Sequence, residues 1–149
     1  LHLGVPGHGF VIAIPIKSVG GGRAVAYMNG DTKNAKYTPA INYDYELIVA
    51  ISNEGSTDMV MNAARAAGAR GGTVLHGKGT GSKDAPKFYN ISIADEKEVI
   101  LIVSTAGQKA GIMRAILEKA GPDSKAGSIV FSIPTTEVAG FGVLDSSET

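Results

Sequence analysis

The chain has 149 residues, of which 44% are hydrophobic and 19% are charged, as is typical of a globular protein with a hydrophobic core. Fourteen basic residues balance fourteen acidic ones, so no net positive charge favours nucleic acid or an anionic membrane as a partner. The absence of cysteine excludes a disulfide framework, a thiolate metal site and a cysteine nucleophile, and no apolar run is long enough to span a bilayer. We therefore expect a cytoplasmic protein without membrane insertion.

Four segments have the apolar, β-branched composition of buried strands and are bounded by glycine, proline or polar turns. The predicted strands are residues 45–55, 72–77, 98–105 and 128–134. Between the second and the third, the polar sequence SKDAPKFYNISIADE contains a proline and predicts a loop that is long enough to have a function.

Two amphipathic helices separate the strands. The first is capped by Ser56 or Thr57 and stops at Gly68, and the second stops at Gly121. The predicted core positions are Met59, Val60, Ala63, Ala66 and Ala67 in the first helix and Ile112, Met113, Ile116, Leu117 and Ala120 in the second. The order β-α-β-β-α-β predicts an α+β, ferredoxin-like βαββαβ fold, with a four-stranded antiparallel sheet that carries both helices on one face. The apolar second face predicts oligomerisation or packing against another domain.

The N-terminal part of the chain contains a partial internal repeat. The sequence GHGFVIAIPIKSVGG at 7–21 aligns without gaps with AGSIVFSIPTTEVAG at 126–140, and Val11, Ile14 and Pro15 have identical counterparts. Chance similarity between two apolar strands is the alternative. The repeat predicts three segments, namely 1–30 as the last strand and tail of a preceding copy, 31–44 as a linker and 45–149 as the domain itself. In either case residues 10–16 form an extra N-terminal strand that needs a partner.

The sequence GGTVLHGKGTGSK at 71–83 is the candidate binding motif. It is not a Walker motif, because Gly79 stands where that motif has serine or threonine, and no helix follows as it would in a dinucleotide fingerprint. Alternating glycines at the end of a strand still expose backbone N–H groups that can wrap an anion, with charge supplied by Lys78 and Lys83. Lys97, in a mixed charge run, could also reach such an anion. A strand exit that needs small residues is the alternative.

The element order, the run GGTVLHGKGTG before a loop and the second glycine turn GPDSKAGS before the last strand resemble the PII family of nitrogen-regulatory signalling proteins. The resemblance covers about residues 46–142. It implies a homotrimer that is not an enzyme and that binds ATP or ADP in clefts between subunits. It also implies that the loop 82–93, the equivalent of the family's T-loop, contacts a target enzyme or transporter.

The resemblance assigns the effector to the two glycine turns. The implied binding residues are Thr73, Lys78, Gly79, Thr80, Gly81, Lys125 and Gly127. Thr73 matches a threonine near the base, and Lys125 would replace a phosphate-binding lysine that is serine here. Ser82 and Lys83 stand in place of the family's arginine-glutamine pair, so a magnesium and 2-oxoglutarate site receives only weak support.

Two other interpretations remain open. One is a CutA-like trimeric, metal-linked protein in which the loop is structural, and the other is a tandem-domain scaffold that binds no ligand. The histidines His2, His8 and His76 lack the spacing of metal ligands, and no Gly-x-Ser-x-Gly motif is present. We therefore predict neither a metal site nor catalytic residues.

Overall fold

The computed structural model describes residues 9–16, 40–80, 87–88, 91–92 and 95–140. The elements in chain order are β1 (Val11–Ala13), β2 (Asn42–Asn53), α1 (Thr57–Ala66), β3 (Thr73–Gly79), β4 (Lys87–Phe88), β5 (Ile91–Ser92), β6 (Asp95–Thr105), α2 (Ala106–Ala120), β7 (Ile129–Thr135) and β8 (Glu137–Ala139). The chain divides into two compact units, Tyr43–Ile133 and Leu1–Asn42 with Pro134–Thr149. The division at residues 30 and 44, and with it a preceding copy, stays a prediction.

The larger unit is built on a four-stranded sheet in the order β3-β6-β2-β7. The central strand β6 pairs antiparallel with β2 on one side and with β3 on the other. Both helices pack on the same face of this sheet, where they share one hydrophobic core. The fully buried members of that core are Ile48, Ala50, Ile100 and Ile102 of the sheet, Val60, Ala64, Ile112, Ile116 and Ala120 of the helices, and Ala126 between α2 and β7. The predicted ferredoxin-like fold is therefore confirmed.

The buried faces of the helices differ in part from the predicted ones. Met61 and Ala64 are buried, although they were not predicted as core, whereas Met59 and Leu117 are 39% and 45% exposed and Ala66 is exposed. The apolar stripe of an alanine-rich helix is wide, so the sequence pattern alone leaves its rotation about the axis poorly defined. Among the described residues, no helix is both long and apolar enough to cross a bilayer.

The first turn of α1 is capped by a neighbouring strand. Ser56 occupies the N-cap position, as predicted, but its side chain makes no capping hydrogen bond. The buried carboxylate of Glu98 in β6 accepts hydrogen bonds from the Gly55 N–H (3.0 Å), the Ser56 N–H (3.1 Å) and the Thr57 hydroxyl (2.7 Å). Desolvation by burial raises the pKa of Glu98, but these hydrogen bonds outweigh it and hold the pKa below its ordinary value. Glu98 thus ties the start of α1 to the centre of the sheet.

The segment between β3 and β6, which was predicted as a loop, contains a short hairpin. Strands β4 and β5 pair antiparallel, with Lys87 opposite Ser92 and Phe88 opposite Ile91. Two strands of two residues each are too short to produce a periodic signal in the sequence. The other residues between Gly81 and Ala94 lie outside the described part of the chain.

The smaller unit contains the predicted N-terminal strand. Strand β1 pairs antiparallel with β8, with Val11 opposite Ala139 and Ala13 opposite Glu137. The Thr136 N–H adds a hydrogen bond of 3.0 Å to the Ala13 carbonyl. The extra strand therefore finds its partner within its own chain.

Candidate functional site

Strand β3 places two of the predicted binding residues on opposite faces of the sheet. Side chains alternate along a strand, and Val74, which packs against the core, has the same parity as Lys78. Lys78 therefore lies on the helix side, where its Nζ is 3.5 Å from Glu96 Oε1 and 70% of its side chain is exposed. Gly79, opposite Asp95, faces the other side, which we call the open face because neither α1 nor α2 packs against it. Lys78 and Gly79 thus do not form one surface.

The space beside Gly79 on the open face is filled by the side chain of Lys97. A Cβ atom at Gly79 would lie 2.9 Å from Cε of Lys97, closer than real Cβ atoms approach other atoms, and a tight 3.2 Å from Cγ. At Gly77, two residues earlier on the same face, a Cβ atom would meet nothing within 4 Å. Gly79 is therefore needed to let the Lys97 side chain lie across the end of β3.

The ammonium group of Lys97 is held by an asparagine at the end of β2. Lys97 Nζ donates a hydrogen bond of 2.6 Å to Asn53 Oδ1, and the two residues are direct partners in the β2–β6 register. A hydrogen bond from a charged donor is stronger than one between neutral groups. An ammonium group has three donors, so this bond is compatible with a second one to an anion.

The second glycine turn, between α2 and β7, is attached to the same asparagine. Asn53 Nδ2 donates to the Lys125 carbonyl (3.1 Å), and the Asn53 N–H donates to the Ala126 carbonyl (2.8 Å). Gly127 has a φ of 54°, in the left-handed region, and a Cβ atom there would lie 3.1 Å from Asn53 Nδ2. Gly127 thus makes room for Asn53 as Gly79 makes room for Lys97.

The predicted residues that this network brings together are Gly79, Lys125 and Gly127. Thr73 begins β3, and because a strand rises about 3.3 Å per residue it lies roughly 20 Å from Gly79. Thr80 is exposed and follows β3 directly, whereas Gly81 lies outside the described residues. The two glycine turns therefore meet at one end of the sheet, and Thr73 belongs to the other end.

Comparison with known proteins identifies the family. The family model of the nitrogen regulatory protein P-II matches residues 45–141. The chain belongs to the P-II family. The description of that model names its members as nitrogen regulatory proteins. The match confirms the family resemblance on which the sequence analysis relied.

Solved structures that match part of this chain include PII of Arabidopsis thaliana bound to citrate. That protein is 22% identical to this chain, and the superposition covers 62% of this chain and 76% of the Arabidopsis chain with a TM-score of 0.47. A search of curated proteins found no match.

Asn53 is a site residue of this P-II domain that the sequence pattern does not mark. It stands in the sequence SNEG at the end of a strand, where asparagine is an ordinary turn residue. The signal that could have found it is the register of β2 with β6, which places Asn53 opposite Lys97. That register depends on tertiary packing, so the sequence pattern alone did not reveal it.

The described part of the site carries charges of both signs. Lys97 and Lys125 contribute positive charge, but Asp95, which is exposed, lies directly opposite Gly79. Anion binding here would thus depend on short-range hydrogen bonds, above all from Lys97, and less on a long-range positive field. No group of three or more histidine, aspartate or glutamate side chains that could hold a metal ion occurs in the described ranges.

Proposed function

We propose that this protein is a nitrogen-regulatory signalling protein that binds an anionic effector where β3 ends and regulates target proteins through the loop 82–93. The observation that carries the proposal is its membership of the P-II family over residues 45–141. An adenine nucleotide, ATP or ADP, is the leading candidate for the effector. The partner would be a target enzyme or a transporter, and the protein would act in the cytoplasm.

The geometry supports Lys97 as the principal cation for the effector. Its ammonium is oriented by Asn53 at the open face, whereas Lys78 is turned to the helix side and pairs with Glu96. The loop 82–93 begins within a few residues of Gly79. Binding of an anion to Lys97 would therefore favour some conformations of this loop over others, which is how a protein without catalytic activity passes on a signal.

A homotrimer is part of the proposal. On the open face, apolar side chains are exposed on both edge strands: Leu75 is 50% exposed in β3, and Ile129 and Phe131 are 55% and 42% exposed in β7. Exposed apolar surface of this kind is typical of an interface between subunits. It supports assembly through the sheet.

A tandem-domain scaffold without ligand binding is the second candidate. It is favoured by the observation that Gly79 and Gly127 each accommodate a protein side chain, so both glycines have a structural explanation that requires no ligand. The two candidates differ in whether the folded oligomer binds any effector.

The test is calorimetric titration with ATP, ADP and AMP, each with and without magnesium and 2-oxoglutarate, after light scattering has determined the oligomeric state. We expect micromolar affinity for an adenine nucleotide. The absence of binding to an intact trimer would refute the sensor proposal and favour the scaffold.

Substitution of Lys97 tests which face binds the effector. Because hydrogen bonds to charged groups contribute about 1.5–3 kcal/mol, Lys97→Gln should weaken nucleotide binding by roughly 10- to 100-fold. Lys78→Gln is the matched control, since it removes a charge from the neighbouring strand on the other face, and we expect a change of about threefold or less. A larger loss in Lys78→Gln than in Lys97→Gln would place the site on the helix side.

Two glycine variants test the role of the Lys97 side chain. In Gly79→Ala the new methyl group would displace the flexible end of Lys97, so affinity should fall while the free energy of unfolding changes by only about 1 kcal/mol. Gly77→Ala, where the methyl group meets open space, should bind as the unmodified protein does. Equal affinities in the two variants would contradict the assignment of this site.

A further inference from the structure

We propose that Asn53 is a positioning residue that couples the two glycine turns, because it orients Lys97 at the end of β3 and at the same time holds the turn between α2 and β7. This inference rests on the proposed function for its effect on ligand affinity. The coupling itself lies in the free protein and can be measured without any ligand.

The two ends of one side-chain amide make the connection. Asn53 Oδ1 accepts from Lys97 Nζ at 2.6 Å, and Asn53 Nδ2 donates to the Lys125 carbonyl at 3.1 Å. Rotating the amide by 180° would point N–H groups at the ammonium and the oxygen at the carbonyl, and both contacts would be repulsive. The partners therefore determine a single orientation of the amide. A change at either partner alters the hydrogen bond of the amide to the other partner.

The backbone leaves room for this connection on both sides. Gly79 accommodates the Lys97 side chain, and Gly127, with its left-handed φ, accommodates the Asn53 amide. A side chain at either glycine would crowd one member of the pair. These two glycines, which the family resemblance implies as binding residues, thus also flank the Lys97–Asn53 hydrogen bond.

The turn is also anchored by bonds that do not involve the Asn53 side chain. The Asn53 N–H donates to the Ala126 carbonyl at 2.8 Å, the Ser128 N–H donates to the Ala120 carbonyl at 2.9 Å, and the hydroxyls of Ser52 and Ser128 are 2.7 Å apart. Variants of the Asn53 side chain should therefore fold with the turn in place. What they lose is the coupling between the turn and Lys97.

Coupling between two sites is reciprocal. An anion that binds Lys97 reorients the ammonium donors, and the change reaches Lys125 through the amide of Asn53. The α2–β7 turn would thus respond to occupancy at the end of β3. Conversely, a partner that holds this turn would change the anion affinity of Lys97.

The experiment compares Asn53→Asp and Asn53→Leu with the unmodified protein. Aspartate keeps an acceptor for Lys97 but loses the donor to Lys125, whereas leucine loses both contacts. The control is Asn62→Leu, at an exposed asparagine of α1. Amide hydrogen exchange of Gly127 and Ser128, whose N–H groups are hydrogen-bonded in the structure, reports on the turn, and ATP titration reports on Lys97.

We expect exchange at Gly127 and Ser128 to accelerate about tenfold in both Asn53 variants. ATP affinity should fall about tenfold in Asn53→Leu and by threefold or less in Asn53→Asp, and Asn62→Leu should change neither quantity. Unchanged exchange in both variants, or an equal affinity loss in both, would overturn the proposal.

A further variant separates the coupling from the proposed function. In the free protein, Lys97→Met removes the partner of Asn53 Oδ1 without touching the turn, and it should accelerate exchange at Gly127 and Ser128 by at least threefold. If ATP does not bind but this acceleration is observed, the coupling stands and the sensor function fails. If exchange is unchanged, the coupling fails whatever the protein binds.

Discussion

Replacing Glu98 by glutamine tests whether its carboxylate stabilises the start of α1. Its carboxylate accepts three hydrogen bonds, from the Gly55 and Ser56 N–H groups and the Thr57 hydroxyl, at the positive end of α1. Hydrogen bonds to a charged group contribute about 1.5–3 kcal/mol each and neutral ones about 0.5–1.5 kcal/mol. Glutamine also presents an N–H group to these donors and loses the favourable interaction with the helix dipole, about 0.3–1 kcal/mol.

From these contributions we expect Glu98→Gln to lower the free energy of unfolding by about 2–4 kcal/mol at pH 7. Urea denaturation at fixed protein concentration measures this loss as a lower midpoint. The control is Glu96→Gln, on the same strand: the Glu96 side chain is 46% exposed, and its ion pair should contribute less than about 0.5 kcal/mol. A loss below about 1 kcal/mol in Glu98→Gln, or an equal loss in the two variants, would refute the capping role.

The pH dependence follows from the same hydrogen bonds. The pKa of Glu98 is lower in the folded than in the unfolded protein, so its contribution to stability is fully present above the unfolded-state pKa. That contribution is lost as the pH falls through the folded-state pKa. The stability difference between the unmodified protein and Glu98→Gln should therefore be largest near neutral pH and shrink as the pH falls below the unfolded-state pKa. A difference that stays constant from pH 7 to pH 3 would contradict this assignment.

Three further substitutions test the packing and the surface of the domain by urea denaturation. Gly72→Ala would put a Cβ atom 2.8 Å from Met61 Sδ and should lower the free energy of unfolding by about 1–3 kcal/mol. An unchanged free energy of unfolding would show that the Met61 side chain moves aside without cost. Ile116→Ala removes most of a fully buried side chain and should lower the free energy of unfolding by about 2–5 kcal/mol. A loss under about 1 kcal/mol would contradict the place of Ile116 in the core. Lys109→Met removes the ion pair with Glu46, 3.0 Å, and should cost about 1 kcal/mol or less, falling with added salt; a salt-independent loss would indicate lost packing instead.

The element order of the larger unit was predictable because it is recorded locally in the sequence. Apolar runs such as the one that contains Ile48 and Ala50 mark strands, and glycines such as Gly68 and Gly121 mark helix ends. The extra N-terminal strand was predicted in the same way, but its partner β8 was not, because strand pairing brings together residues far apart in the chain. The hairpin β4–β5 was missed because its strands are too short to show a period.

In the candidate site, too, the local sequence predicts some features and long-range contacts decide others. The sequence by itself determined that Gly79 and Gly127 are special positions and that lysines accompany them. Only the tertiary structure decided what these glycines face. Lys97 and Asn53 meet across 44 residues of sequence, through the register of β2 with β6, and that register is set by the burial of the whole sheet against the helices. Local patterns record the backbone conformation of each segment, whereas the contacts that make a site depend on segments that only folding brings together.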